Sequence, residues 1–412
     1  MLDLFQINSC WASSRLYFYP ACCRMNSVKK AVQLMVGFLL FGSAVVSAQT
    51  AFTSLYIFGD GVSTTTNNTS PYPSPTNFFG RRYSNGRVWV EVLAQQLGLT
   101  NNYWYSTNGS PHVLYTDLSA SSTNWSYSSN NWSYVGDYSA NLVQNVNSFA
   151  PTNATNALFV VWVNDADFVY DVLNYGTNIT QWTNAMNLSL TNHFKAITNL
   201  YAKGARTLVM PNAVDISVVP VYQNYAAAKN GFLRQRVIDF NTAFTNTLMN
   251  QLRMNCPGIT IYVPNFFALL DNVLTNAAAY GLTNAGTYAL NQNPPNALTN
   301  LSMTGPGANY IWWDNEDPTA KVHAIMADIT QQLISPVQIS NITALNGSNQ
   351  LVMANVPIGQ NGLVLSCTNL AMPNWTTNAI FVSSNTTQTI YVTNSGPQCF
   401  YRLEFPYTWS WP

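Results

Sequence analysis

Charge is scarce in this chain. Only 8% of its 412 residues are Asp, Glu, Lys or Arg, and sixteen of each sign leave a net charge of zero. That balance gives no electrostatic footprint for nucleic acid and no basic face for anionic lipid. Histidine is rarer still, with His112, His193 and His323 the full set, so general bases are few. Six cysteines are present, and Cys10, Cys22 and Cys23 lie in the first 24 residues. Solubility therefore rests on Asn, Thr and Ser, alongside 13% aromatic residues. An uncharged, aromatic-rich surface suits a neutral small molecule or a carbohydrate better than a charged polymer.

Long apolar runs are also missing, apart from residues 31–46. Lys29 and Lys30 precede that run and Ser47-Ala48 close it, the order of parts of a secretory signal peptide. The pattern predicts a start at Met25 and cleavage after Ala48. The run is short for a spanning helix and lacks a stop-transfer flank, so no stable membrane span is expected after cleavage. An exported chain can form disulfides. Cys367 and Cys399 are the plausible pair, since both lie in one small C-terminal stretch, and Cys256 is expected to remain a buried thiol.

Three segments follow from the patterning: a leader over 1–48, a large domain over 49–335 and a small module over 336–412. Apolar runs at 54–58, 158–163, 207–210 and 259–263 alternate with stretches of helical period, which argues for a parallel sheet covered by helices. Helices are predicted over 88–97, 188–203 and 231–253, the last with Val237, Phe240, Phe244, Leu248 and Leu252 on one stripe. Residues 101–150 are crowded with Asn, Ser, Tyr and Trp and show no period. They read either as an insertion beside a ligand cleft or as a long self-packing loop. After Pro336 helical period ends, and strands at 363–366, 380–382, 389–392 and 400–403 suggest a small antiparallel sandwich.

The chemistry lies where strands are expected to end. Residues 54–58 lead into Gly59-Asp60-Gly61-Val62-Ser63, and 158–163 lead into Asn164-Asp165. Two further blocks are Tyr83-Ser84-Asn85-Gly86-Arg87-Val88-Trp89 and Trp312-Trp313-Asp314-Asn315-Glu316-Asp317-Pro318-Thr319. In an open parallel sheet, ligands bind beyond the carboxyl ends of strands. In order and spacing over 54–334, these blocks resemble the GDSL (SGNH) lipases, esterases and acylhydrolases. The resemblance implies a three-layer α/β/α flavodoxin-like fold and cofactor-free hydrolysis of a small-molecule ester or acylated carbohydrate. The module over 336–412, with Thr368-Asn369-Leu370, Trp375 and Phe400-Tyr401-Arg402-Leu403, resembles a C-terminal appendage of secreted verrucomicrobial proteins. That implies a secreted, periplasmic or cell-surface bacterial protein.

In the family a serine attacks the ester, a histidine takes its proton, and an aspartate three residues earlier orients that histidine. Carried over by position, Asp314 matches the orienting aspartate and Asn164 the oxyanion asparagine. Gly61 stands in the serine's place and Asp317 in the histidine's. Thr107 falls where an oxyanion glycine is expected, and Trp162, two residues before Asn164, replaces a glycine and is expected to fill part of the cleft, while Asp60 accompanies the nucleophile position. Neither Ser63 nor His323 falls at a catalytic position. The expectation is an ester hydrolase of impaired chemistry or a non-catalytic ester- or carbohydrate-binding surface protein. A third reading starts from Asp60, Asp165, Asp167, Asp171, Asp314, Glu316 and Asp317, seven of the sixteen acidic residues, as a carboxylate or metal-dependent hydrolase. Asp317, ahead of Pro318, is also a candidate helix N-cap.

Overall fold

A computed structural model describes residues 17–19, 52–64, 78, 82–99, 131–134, 136–151, 154–291, 307–394, 396 and 398–406. The first described strand, β1 (Tyr17–Tyr19), belongs to the C-terminal module. The large domain is built on β2 (Ser54–Gly59), β3 (Ala157–Trp162), β4 (Thr207–Val209) and β5 (Thr260–Tyr262), hydrogen-bonded in that order and all parallel. Every residue of β3 is buried, as a central strand covered on both faces must be. Its sequence, Ala-Leu-Phe-Val-Val-Trp, is accordingly apolar throughout rather than alternating.

The covering helices are α1 (Trp89–Gln96), α2 (Ser139–Ser148), α3 (Asn164–Tyr175), α4 (Ile179–Ala202), the single turn α5 (Pro220–Gln223), α6 (Ala227–Ala243), α7 (Met249–Asn255), α8 (Phe266–Thr275) and α9 (Ala320–Ile334). The helix predicted over 231–253 is present but interrupted. A π turn at Phe244–Leu248 joins α6 to α7, and Val237, Phe240, Phe244, Leu248 and Leu252 all remain buried. The helix predicted from 188 begins nine residues earlier, where Asn178 accepts a hydrogen bond from the Gln181 amide.

Residues 101–150 are not one irregular loop. The described part contains α2, and Asn131 forms a parallel bridge with Ile57. The Trp132 amide donates to the Ile57 carbonyl at 2.7 Å and the Tyr134 amide to Gly59 at 3.3 Å, so 131–134 runs along the free edge of β2. Polar Asn and Ser conceal this segment because an edge position needs no apolar run.

A short parallel pair, β6 (Asn284–Tyr288) and β7 (Tyr310–Trp312), leads to α9. The C-terminal module then follows as β8 (Gln338–Leu345), β9 (Ser348–Ala354), β10 (Asn361–Cys367), β11 (Thr376–Val382), β12 (Thr387–Thr393) and β13 (Phe400–Glu404). One sheet is ordered β1-β13-β10-β11 and the other β12-β9-β8. Leu351, Met353 and Val392 from the second sheet share a core with Val364, Phe381, Tyr401 and Leu403 from the first. The expected sandwich is there, with β8 and β9 in addition to the four predicted strands. Cys367 and Cys399 are both buried and are not joined. The register explains it: Cys367 lies opposite Phe400, so Cys399 falls one residue out of step, on the other side of the pleat. Cys256 is a buried thiol whose pKa burial raises. Among the described residues no helix is long and apolar enough to cross a membrane, and the leader expected over 1–48 otherwise lies outside them.

Candidate active site

At the carboxyl end of β2 the chain turns sharply. Asp60 caps a 3-10 turn over Gly61–Ser63: its Oδ1 accepts from the Val62 amide at 3.1 Å, and the Thr64 hydroxyl donates to its carbonyl at 3.0 Å. Gly59 is obligatory here. A Cβ on it would lie 2.8 Å from Ser133 Oγ and 2.9 Å from Ser63 Cβ, so edge segment and turn close on bare backbone. Gly61 is not among the glycines of positive φ, and its helical backbone is one a serine adopts without strain.

Beyond this turn opens a cavity of about 280 Å³, near the lower end of the ~300–1,000 Å³ usual for small-molecule sites. Asp60, Gly61 and Val62 line one side, and Asp165 and Ala166 of α3 another. Glu316, Asp317 and Pro318 close a third, while α8 and α9 supply the apolar floor through Leu269, Leu270, Val273, Val322 and Met326. The loop carrying Ile216 and Val219 is fixed by Asp215, which accepts from the Ser217 amide at 3.0 Å and pairs with Arg234. Arg234 also reaches Asp271 of α8 at 2.7 Å, tying two walls together.

Trp162 does not fill the space. It is 2% exposed and forms part of the wall, edge-on to Trp89 at 5.8 Å and to Phe266 at 5.1 Å. Asn164 and Asp314 are not among the lining residues. The Asn164 amide is buried and directed at the Pro211 carbonyl, 3.4 Å away. Asp314 Oδ1 accepts from the amides of Glu316 at 2.8 Å and Asp317 at 2.7 Å, shaping the turn that presents Asp317. Thr107 and His112 lie outside the described residues. Among the described lining residues the one glycine besides Gly61 is Gly136, which follows the edge segment and has φ +76°.

Asp317 is not a helix cap. Helix α9 starts at Ala320 with Thr319 before it, and the Ala320 amide is satisfied by Asn85 Oδ1 at 2.8 Å. Ser84 Oγ donates to the Pro318 carbonyl at 3.2 Å, so Ser84 and Asn85 anchor the last helix while Tyr83 beside them lines the cavity. Ser63 and His323 are both fully buried in the core. Ser63 Oγ accepts from the Trp89 indole at 3.0 Å, and His323 Nδ1 accepts from the Trp89 amide at 3.2 Å. Burial lowers the His323 pKa to about 3.

The cavity is acidic and starved of countercharge. Burial pushes Asp60 up to about 7, against hydrogen bonds from the Val62 and Ala166 amides. Asp165 is raised well above the usual carboxylate range by burial and by Asp60, and Asp317 likewise by burial and then Asp314, Glu316 and Asp60. Tyr83 rises to about 12 through burial and the carboxylates of Asp317, Asp314 and Glu316. Asp167 and Asp171 lie elsewhere: Asp167 accepts from Ser139 N and from Ser189 Oγ, and both aspartates line a second hollow beside α4. Among the described residues no group of three or more His, Cys, Asp or Glu side chains is arranged to hold a metal ion.

No protein-family model matches the chain. It is 25% identical over 334 residues to GDSL esterase/lipase At1g71691 of Arabidopsis thaliana, spanning 71% of this chain and 86% of that one. Over 342 residues it is 24% identical to GDSL esterase/lipase At5g22810 of the same plant, spanning 72% and 92%. Acetylajmalan esterase 2 of Rauvolfia serpentina is 25% identical over 348 residues, spanning 73% and 94%. Among solved structures, a gut microbial diltiazem-metabolizing enzyme aligns at a TM-score of 0.35 and 10% identity, covering 75% of this chain and 57% of its own, too distant to bear on function. The curated relatives are thus GDSL esterases and lipases, and they support a resemblance of this chain to that family of ester hydrolases.

Proposed function

We propose that this is an exported protein in which the ester-hydrolase site of a GDSL-type fold has become a binding pocket for a small ester or acylated alcohol. One observation carries the reading: the described residues lining the cavity include no serine, threonine, cysteine, lysine or histidine, while Gly61 and Asp317 both face it. Serine hydrolysis needs a nucleophile and a base within hydrogen-bond reach of each other. Losing either one from such a set already costs several orders of magnitude in turnover. The pocket itself is open and apolar-walled, which favours retention of binding over wholesale decay of the site.

The test is hydrolysis of p-nitrophenyl acetate by the natural protein and by Gly61→Ser, Asp317→His and the double variant. The expected result is background turnover for the natural protein and both single variants, with a rise of about tenfold or more in the double variant. Turnover by the natural protein well above background overturns the reading and points to the acidic cluster as the catalytic group.

A further inference from the structure

The polar groups of the cavity specify a particular kind of ligand. Among the described lining residues there is no lysine, arginine or histidine to offset Asp60, Asp165, Glu316 and Asp317. Asp165 is 7% exposed; its Oδ1 accepts from the Val214 amide at 3.1 Å, but its Oδ2 has no partner although it is buried. A buried carboxylate oxygen without a donor carries a desolvation cost that a ligand can relieve. The surrounding walls are aromatic, with Trp162, Trp312, Tyr83, Tyr138, Tyr222 and Phe266 all lining the same space. Aromatic faces attract organic cations, and quaternary ammonium groups are the ligands such aromatic walls most often hold. Two more groups are unpaired: the indole N–H of Trp162 and that of Trp312 are buried without acceptors in side chains only 2% and 3% exposed. These call for an oxygen acceptor on the same ligand.

We infer that the pocket recognises an alkylammonium ester or alcohol, its cationic head against Asp165 and Asp317 within the aromatic wall and its oxygen against the indole N–H groups of Trp162 and Trp312. This rests on the binding-pocket reading above and narrows it to one charge class. The titratable groups facing the space are the carboxyls of Asp60, Asp165, Glu316 and Asp317 and the phenols of Tyr83, Tyr138 and Tyr222, with Asp137 near Asp60; α8 and α9 contribute apolar side chains to it. Raised carboxyl pKa values leave the empty cavity partly protonated, and a bound cation favours the ionised form. Cation binding therefore releases protons and tightens as pH rises.

The experiment is calorimetric titration of the natural protein with acetylcholine and with its carbon isostere, the ester in which a tert-butyl group replaces the trimethylammonium, at pH 5 and pH 8. Acetylcholine is expected to bind about tenfold or more tighter at pH 8, equivalent to ~1.4 kcal/mol, and the preference to shrink at pH 5. Asp165→Asn and Asp317→Asn should each remove most of that preference while leaving the isostere's affinity in place, which also shows that the variant pocket is folded. Equal binding of both esters overturns the cation assignment and leaves the binding pocket standing. Binding of neither ester overturns both. A preference that persists in both variants also overturns the assignment to these carboxylates.

Discussion

At the scale of single residues, the serine and histidine closest in sequence to Gly61 and Asp317 serve the core. Ser63 Oγ accepts from the Trp89 indole and His323 Nδ1 from the Trp89 amide, while His323 Nε2 is buried without a partner. Asp317 has lost its structural excuse, since Asn85 supplies the helix cap that an aspartate before proline was expected to provide. What Asp60 contributes is a buried carboxyl whose ionisation burial opposes, and this has a consequence for stability. Asp60 is held near pH 7 in the folded chain and returns to the ordinary carboxylate range on unfolding. Between those values the folded state binds more protons. Its stabilising contribution is complete in acid and is lost as pH rises through about 7. Asp60→Asn keeps an oxygen for the Val62 amide and removes the titration. The variant should match the natural protein only below about pH 4 and exceed it at pH 8 by about 1 kcal/mol or more in denaturant unfolding. An identical loss of stability in both between these pH values would assign the pH dependence to other groups.

At the scale of elements, apolar runs located β2, β3 and β4 because buried parallel strands have no polar face to blur the signal, and β5, the partly exposed edge strand, was found by its Ile-Thr-Ile-Tyr-Val run. Strand β9 was harder to see. Its Ser-Asn-Gln-Leu-Val-Met-Ala buries alternate residues, including Asn349, whose amide donates to the Tyr401 hydroxyl at 2.7 Å across the two sheets. A polar residue on the core face hides the period that strand prediction relies on. Gly61 and Asp317, placed through the resemblance to the GDSL blocks, were legible in the sequence as residues of the cavity they line. Gly136 was not, because the edge segment before it is held by backbone hydrogen bonds that leave no pattern in side chains. Close backbone approach is similarly invisible at Gly362 of β10. It lies directly opposite Phe381 of β11, and a Cβ there would come within 2.1 Å of the ring. The ring lies over the glycine and meets Phe405 edge-on at 5.7 Å. Gly362→Ala must displace it, at a cost of ~1–3 kcal/mol to the module. Near-ultraviolet circular dichroism and thermal melting should report the loss, while affinity for cavity ligands stays unchanged. Wild-type melting in the variant would mean that Phe381 has room to move.

At the scale of the molecule, the β module docks away from the cavity. Its contacts fall on α1 and on the far end of α9. The Ile358 amide donates to the Gln96 carbonyl at 3.3 Å, and Gly98, at φ +69°, leaves space for the Ile358 side chain. Gln331 is the main polar link. It is 1% exposed, and its Nε2 donates both to the Ser335 carbonyl at 2.8 Å, at the end of α9, and to the Asn355 carbonyl at 3.1 Å, after β9. The cavity uses Val322 and Met326 of the same helix, more than one turn back toward its start. One helix thus carries the pocket floor at one end and the module's anchor at the other. Short hydrogen bonds at a buried junction make the two parts unfold together only while the junction is satisfied. Gln331→Ala leaves two buried carbonyls without that donor, at a cost of ~1–3 kcal/mol. The loss should fall on the coupling between the parts, so a single calorimetric transition is expected to split in two, the module melting first. Ligand affinity should remain that of the natural protein, because none of the lining residues contacts the junction through Gln331. A variant that melts in one transition but binds weakly would show instead that α9 transmits the state of the module to the pocket.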